Sequence, residues 1–218
     1  MAAAGWAAFI ASATRLQAPP RVPELRLHLA DEMTRIWELT EAELGAQGVD
    51  PPFWAFAWAG GQAVARHLLD TPAEVEGRTV LDLATGSGLV ALAALLAGAR
   101  HATAVDLDPV AAAAARLNAA ANGLADRLTV TVGDLTAGAP PTVDVVLAGD
   151  VCYDRDMTAA VLPWLRRARA AGTRVLLGDP GRAYLPSQGL RRVAEYDVPT
   201  TADLEGREVC PSAVYELT

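Results

Sequence analysis

The hydrophobic pattern of the chain is set by one repeated unit. Val80-Leu81-Asp82-Leu83 is a short apolar run that reads as a buried strand. Ala84-Thr85-Gly86-Ser87-Gly88 follows as a turn of small residues, and Leu89 to Leu96 is an unbroken helix-forming run. Strand, tight turn and helix N-terminus in that order open a nucleotide-binding α/β fold. The strand pattern returns at His101 to Asp106, Leu128 to Gly133, Val143 to Gly149 and Thr173 to Gly178. Asp108-Pro109 starts a helix that runs to Ala121 and stops at Asn122-Gly123. Asp156 to Ala170 predicts another helix, with Pro163 at a kink or restart. A short helix is expected near residues 187–193. Tyr196 to Val198 and Glu208 to Leu217 alternate as two antiparallel edge strands.

Upstream, Trp6, Phe9, Ile10 and Leu16 lie at helical spacing, so residues 6–16 predict a helix with one docking face. Glu24-Leu25-Arg26-Leu27-His28-Leu29 alternates and suits a short extended segment. Asp31 is positioned to cap a helix through Leu44, with Met33, Ile36, Trp37, Leu39 and Leu44 on its apolar side; Gly45, Gly48 and Pro51-Pro52 end it. Phe53, Trp54, Phe56 and Trp58 crowd one loop before Gly60-Gly61 and a helix from Ala63 to Leu69. This predicts two parts: residues 1–62, a helical extension with an aromatic loop, and residues 63–218, the α/β domain.

Composition narrows the partners. The formal net charge is −8, and all 18 basic residues are arginine; the chain has no lysine. An acidic protein is a poor match for nucleic acid and favours a basic partner through steering. Two cysteines and three histidines give neither a disulfide framework nor a metal site. No segment reads as a signal peptide or membrane span, so a cytoplasmic monomer is expected.

The chemistry lies at the strand ends. Consecutive strands close in Asp82, Asp106, Asp134 and Asp150. Ligands bind at the carboxyl ends of such strands, and a carboxylate after the second strand suits ribose hydroxyls. So much acid opposes a pyrophosphate, as in a dehydrogenase, and suits a cationic nucleoside. S-adenosyl-L-methionine (AdoMet), with its sulfonium and ammonium, is such a molecule. The order of these features resembles the class I AdoMet-dependent methyltransferases. That resemblance implies a Rossmann-like, seven-stranded, mostly parallel sheet with helices on both faces and an antiparallel C-terminal edge. It also implies a cofactor site formed by Trp58, Asp82, Ala84, Thr85, Gly86, Ser87, Gly88, Asp106, Leu107, Asp134 and Leu135, with S-adenosyl-L-homocysteine as product.

Asp150-Val151-Cys152-Tyr153 matches the D-x-x-Y pattern of seven-β-strand protein lysine methyltransferases. With Val22 to Leu27, Pro52 to Ala55, Trp58 to Ala63, Asp106 to Pro109 and Gly178-Asp179-Pro180-Gly181-Arg182, the chain resembles the electron-transfer-flavoprotein β-subunit lysine methyltransferases and their bacterial relatives. It departs from them at Ala84, where glycine is usual, and at Cys152, where an aromatic is usual.

The resemblance implies a protein acceptor presenting an exposed lysine. Asp150 would orient the amine and Tyr153 would wall the channel, with Glu24, Arg26, Phe56, Asp179 and Arg182 on the substrate side and no metal. An N-methyltransferase of a ribosomal protein or small molecule, and a catalytically silent AdoMet-binding module, are the alternatives.

Overall fold

The computed structural model describes residues 3–45 and 51–218. The expected helix stop at Gly48 lies outside the described residues. Helix α1 (Ala3–Ala13) and a two-stranded antiparallel ribbon, β1 (Arg15–Gln17) with β2 (Leu27–Leu29), precede α2 (Met33–Leu44) and α3 (Ala59–Asp70). The sheet then alternates with helices: β3 (Thr79–Leu83), α4 (Leu89–Leu96), β4 (His101–Asp106), α5 (Pro109–Ala121), β5 (Leu128–Val132), β6 (Val145–Gly149), α6 (Arg155–Ala170) and β7 (Arg174–Asp179). The chain ends in β8 (Leu190–Pro199), α7 (Ala202–Glu205) and β9 (Val209–Leu217).

The seven-stranded sheet has the order β5-β4-β3-β6-β7-β9-β8. Its first five strands are parallel, and β9 runs antiparallel to both β7 and β8. Chain order reverses between β3 and β6, and this switch point is where a ligand cleft forms. Alternate strand residues face opposite layers. Val80, Ala102, Ala104 and Leu147 pack with α3 and α4 on one side. Leu81, Leu83, Val105 and Val146 pack against Trp164 and Leu165 of α6 on the other.

Several expectations shift. Helix α1 stops at Ala13, and Leu16, on the ribbon, is 38% exposed rather than docked. Asp31 does not cap α2: Glu32 stands at the cap without a side-chain bond, and Asp31 pairs with Arg15 at 3.6 Å. Leu39 faces outward while Ile36 and Thr40 are buried. Residues 187–193 form no helix; the alternation from Leu190 onward already belongs to β8, whose pairing with β9 overrides local propensity. Helix α6 runs through Pro163, which sits on its exposed face beside an exposed Ala159, so the freed carbonyl meets water. Helix α3 begins at Ala59 rather than Ala63, so the boundary expected at 62/63 falls inside it.

That early start has a steric basis. A Cβ on Gly178 would lie 2.1 Å from the Gly60 carbonyl oxygen, and one on Gly149 would lie 2.7 Å from the Gly61 Cα. Glycine on both sides lets the first turn of α3 rest backbone against backbone on the ends of β6 and β7. Among the described residues no helix is long and apolar enough to cross a membrane.

Candidate active site

A cavity of about 1170 Å³ opens over the carboxyl ends of β3, β4, β5 and β6. Trp54 and Phe56 of the aromatic loop, with Trp6 of α1 and Thr40 of α2, wall its near side. The lining is mostly apolar and aromatic, and its charged side chains are nearly all carboxylates: Asp82, Asp106, Asp108, Asp134, Asp150 and Asp154. Among the described residues Arg182 is the one basic side chain there.

The loop after β3 is built around two of these acids. Asp82 is 1% exposed. Its Oδ2 accepts the Thr85 hydroxyl at 2.5 Å and the Ala91 N–H at 3.0 Å, while its Oδ1 is buried without a hydrogen-bond partner in the protein. Burial pushes its pKa up to about 7, against the Thr85 and Ala91 bonds, with Asp106 nearby adding to the rise. Asp106 Oδ2 accepts the Gly86 N–H at 2.8 Å and Oδ1 accepts the Asp108 N–H at 3.0 Å; burial raises this acid too.

Ala84, at the usual glycine position, has φ 57°, in the left-handed region that costs a side chain energy. Gly88 does not line the cavity. It caps α4 at φ 85°, where a Cβ would stand 3.1 Å from Ala115 of α5, so its role is helix packing. Asp134 is exposed, and two bonds from Thr136 hold its carboxyl below the ordinary range. Leu107 and Leu135 complete this end.

The other end is organised by Asp150, which also has a left-handed φ of 56°. Its Oδ2 accepts the Gly61 N–H at 2.7 Å, and Arg182 donates to its Oδ1 through Nη2 at 2.7 Å and Nε at 3.1 Å. Burial pushes Asp150 up to about 6 against the pull of Arg182. The Arg182 guanidinium also lies 5.8 Å over the Trp58 ring and bonds Glu205 at 3.1 Å. Around this acid the rings form a wall. Phe53 sits 5.2 Å from Tyr153 and 5.7 Å from Trp58, and Phe56 sits 6.1 Å from Trp58. The Trp58 indole donates to the Phe53 carbonyl at 2.9 Å, which fixes its ring.

Besides Gly88, three expected residues fall outside this cavity. Glu24 pairs with Arg66 at 2.7 Å, and the Arg26 side chain donates to the Leu16 carbonyl at 2.8 Å. Their segment is held instead by Asn118 and Asn122 of α5: Asn118 accepts the His28 N–H at 2.7 Å, and Asn122 accepts the Arg26 N–H at 2.9 Å. The Val22 to Leu27 motif is therefore a strap on α5. Asp179 is fully buried and turns the chain, accepting the N–H groups of Gly181 and Arg182 at 2.7 Å each. Two residues absent from the expected site set join the cluster around Asp150. Phe53 was visible in the aromatic run. Glu205 carried no local signal, because it reaches the site from the β8–β9 connection.

The cavity suits a cationic nucleoside. The orphaned Oδ1 of Asp82 can accept an ammonium, Asp106 closes β4 with a carboxylate that can accept hydroxyls, and the charged groups of the lining are nearly all acidic. Comparisons agree. A family model for ribosomal protein L11 methyltransferase (PrmA) matches residues 66–151, the cofactor half. The fold is shared with the ribosomal protein L11 methylase of Lactobacillus delbrueckii subsp. bulgaricus, with TM-score 0.54, 20% identity, and 75% of this chain and 81% of that chain covered. Class I fold and family together imply use of AdoMet.

Across nearly the whole chain, the electron transfer flavoprotein beta subunit lysine methyltransferase of Xenopus laevis is 37% identical, over 96% of this chain and 85% of that protein. The enzyme of the same name from Danio rerio is 39% identical, over 88% and 75%. With the D-x-x-Y acid at the cleft and the rings of Phe53, Trp58 and Tyr153 beside it, this chain belongs to the electron transfer flavoprotein β-subunit lysine methyltransferase family.

Proposed function

We propose that the chain methylates a lysine side chain of an electron transfer flavoprotein β subunit, with AdoMet as donor, and that nucleic acid is not its acceptor. The observation that carries this reading is the pairing of Asp150 with the Phe53–Tyr153–Trp58 wall beside an acidic cofactor cavity. The L11-type family model spans residues 66–151 alone and the L11 methylase structure shares only the fold, so both bear on the common core and leave the acceptor end to the full-length relatives.

Asp82 would hold the ammonium of the methionine part through Oδ1, and Asp106 the ribose. When bound, AdoMet supplies a sulfonium methyl; the amine lone pair forms the N–C bond as the S–C bond breaks and its electrons stay on sulfur. The chain's own residues must deliver a neutral amine, aligned at about 3 Å, away from water. A free lysine has a pKa of about 10.4, and enclosure by apolar rings lowers it, so the proton leaves to solvent as the amine enters. Asp150 then orients the nitrogen by hydrogen bonding. Its carboxylate is shared with Gly61 and Arg182, which fixes its direction and makes it a poor strong base.

Incubation with methyl-labelled AdoMet and a recombinant electron transfer flavoprotein β subunit tests this. Lysine-borne label, mapped by mass spectrometry, is the expected result. Label absent from that subunit, or incorporated instead into RNA added in a parallel incubation, would overturn it.

A further inference from the structure

The geometry points to Glu205 as a positioning residue for methyl transfer: by sharing the Arg182 guanidinium with Asp150, it sets the direction and charge of the acid that meets the acceptor. This rests on the lysine-methylation reading above.

Glu205 ends the short helix α7 between β8 and β9, and its side chain is only 4% exposed. Burying a carboxylate is costly unless it is fully paired. Its Oε1 accepts the Ala59 N–H at 3.2 Å and Arg182 Nη2 at 3.1 Å. The same Nη2 reaches Asp150 at 2.7 Å. Two carboxylates thus share one guanidinium and the positive end of α3, the two acids accepting from Ala59 and Gly61 of its first turn. The α7 segment is anchored for this task. Leu204 packs on the aromatic cluster with Trp54 and Phe56, and Ala59 packs with Val198 and Cys210 of the β8–β9 pair.

Were Arg182 to serve Asp150 alone, it would neutralise that acid and weaken its hold on a nitrogen. With Glu205 present, Arg182 is stretched between the two and held over Trp58, and Asp150 keeps part of its negative charge for the acceptor. The other titratable groups facing the trio are Asp179, Cys152 and Cys210, and Arg207 lies beyond Cys210. Asp179 spends its bonded oxygen on the N–H groups of Gly181 and Arg182. Burial pushes the Cys152 thiol up to about 12, so it stays neutral.

The test uses the full chain with its protein acceptor. Glu205→Gln keeps an oxygen for the Ala59 N–H and removes only the charge. We expect kcat to fall about tenfold while AdoMet affinity, measured by calorimetry, changes by less than about threefold. The acid limb of the kcat profile should move down by about 0.5 pH unit, because a negative neighbour no longer keeps the Asp150 proton on. Glu205→Asp retains the charge at shorter reach; it should lower kcat with the limb at its parental pH, and it remains informative where the amide variant does not fold. A parental limb in Glu205→Gln with only a lowered Tm would make Glu205 a helix cap and overturn the inference, as would a shifted limb in Glu205→Asp or parallel loss of AdoMet binding. An unlabelled acceptor with the parent chain would instead overturn the lysine reading itself.

Discussion

Gly61 donates its backbone N–H to the Asp150 carboxylate at 2.7 Å, so the acid after β6 caps a helix that begins far upstream in sequence. The contact is possible because Gly149 and Gly61 bring the two backbones together without side chains. The residue expected to orient the acceptor is therefore also a structural bond, and substitutions there must separate the two roles.

Asp150→Asn keeps an oxygen for Gly61 but loses the charge that pairs with Arg182; Asp150→Ala loses both. The alanine variant forfeits a cap worth about 1 kcal/mol and strands the Arg182 charge against Glu205, for a total on the order of 3 kcal/mol. Both variants should bind AdoMet within a modest factor of the parent and lose most turnover; both lose the charge that pairs with Arg182, and the alanine variant, which also loses the cap, should show the larger fall in unfolding free energy. Calorimetry beside urea denaturation checks this; affinity falling together with turnover would make Asp150 a cofactor residue.

Asp106→Ala removes an acceptor that serves both the cavity and the Gly86 N–H. Leaving such a donor unpaired while losing a ligand contact costs about 1–3 kcal/mol, so AdoMet affinity should drop by about five- to 150-fold. An unchanged dissociation constant would remove Asp106 from the site.

Ala84 pays for its left-handed φ of 57°. Relief of about 1–2 kcal/mol in Ala84→Gly is offset by about 0.4–1 kcal/mol of extra unfolded-state entropy. A net stabilisation of about 0.5–1 kcal/mol is expected, while Ala84→Val, β-branched at the same angle, should destabilise. Chemical denaturation of the two variants should rank them on opposite sides of the parent.

The sheet was legible because its signal is local. Each of β3 to β7 is an apolar run with its own punctuation, and His101 to Asp106 appears at its predicted limits. The acids at the strand ends and the aromatic loop could be located for the same reason, since strand ends and loops are fixed by their neighbours in sequence. Glu24 and Arg26, placed on the substrate side by the resemblance, do not line the cavity; alternation marks their segment as extended without saying what it lies on, and here it lies on the amides of Asn118 and Asn122. Glu205 stayed hidden because its partners, Ala59 and Arg182, come from other elements and no spacing connects them.

Asp82 ties stability to pH. Its folded pKa of about 7 stands above the ordinary 3.8 because the side chain is buried. Between those values the folded chain holds a proton that the unfolded chain has released. The stability it contributes is full below about pH 4 and is lost as pH rises through about 7, at up to about 1.4 kcal/mol per pH unit. Glu24 and Asp144, whose carboxyls are held below their ordinary range, act in the opposite sense, so the parent alone does not isolate the effect. The unfolding free energy of the parent minus that of Asp82→Asn should decline across this window. A flat difference would mean that Asp82 ionises normally. Added AdoMet should flatten it as well, because an ammonium beside Oδ1 stabilises the charged form.

The absence of lysine gives the last prediction its control. With 18 arginines and no lysine, the chain offers no amine side chain to its own chemistry, so labelled AdoMet alone should leave no methyl-lysine on the enzyme. Any lysine-borne label then reports the added acceptor. The net charge of −8 should also speed encounter with a surface that presents lysine. Steering of this kind weakens as the Debye length falls from about 10 Å at 0.1 M salt to about 3 Å at 1 M. The proposed cofactor contacts, by contrast, are with buried acids, Asp82 and Asp106, which salt screens less. Raising salt across that range should therefore lower kcat/KM for the protein acceptor while AdoMet affinity changes little. A salt-insensitive kcat/KM would place recognition on the aromatic wall of Phe53, Trp58 and Tyr153 and remove surface charge from the account of how the acceptor arrives.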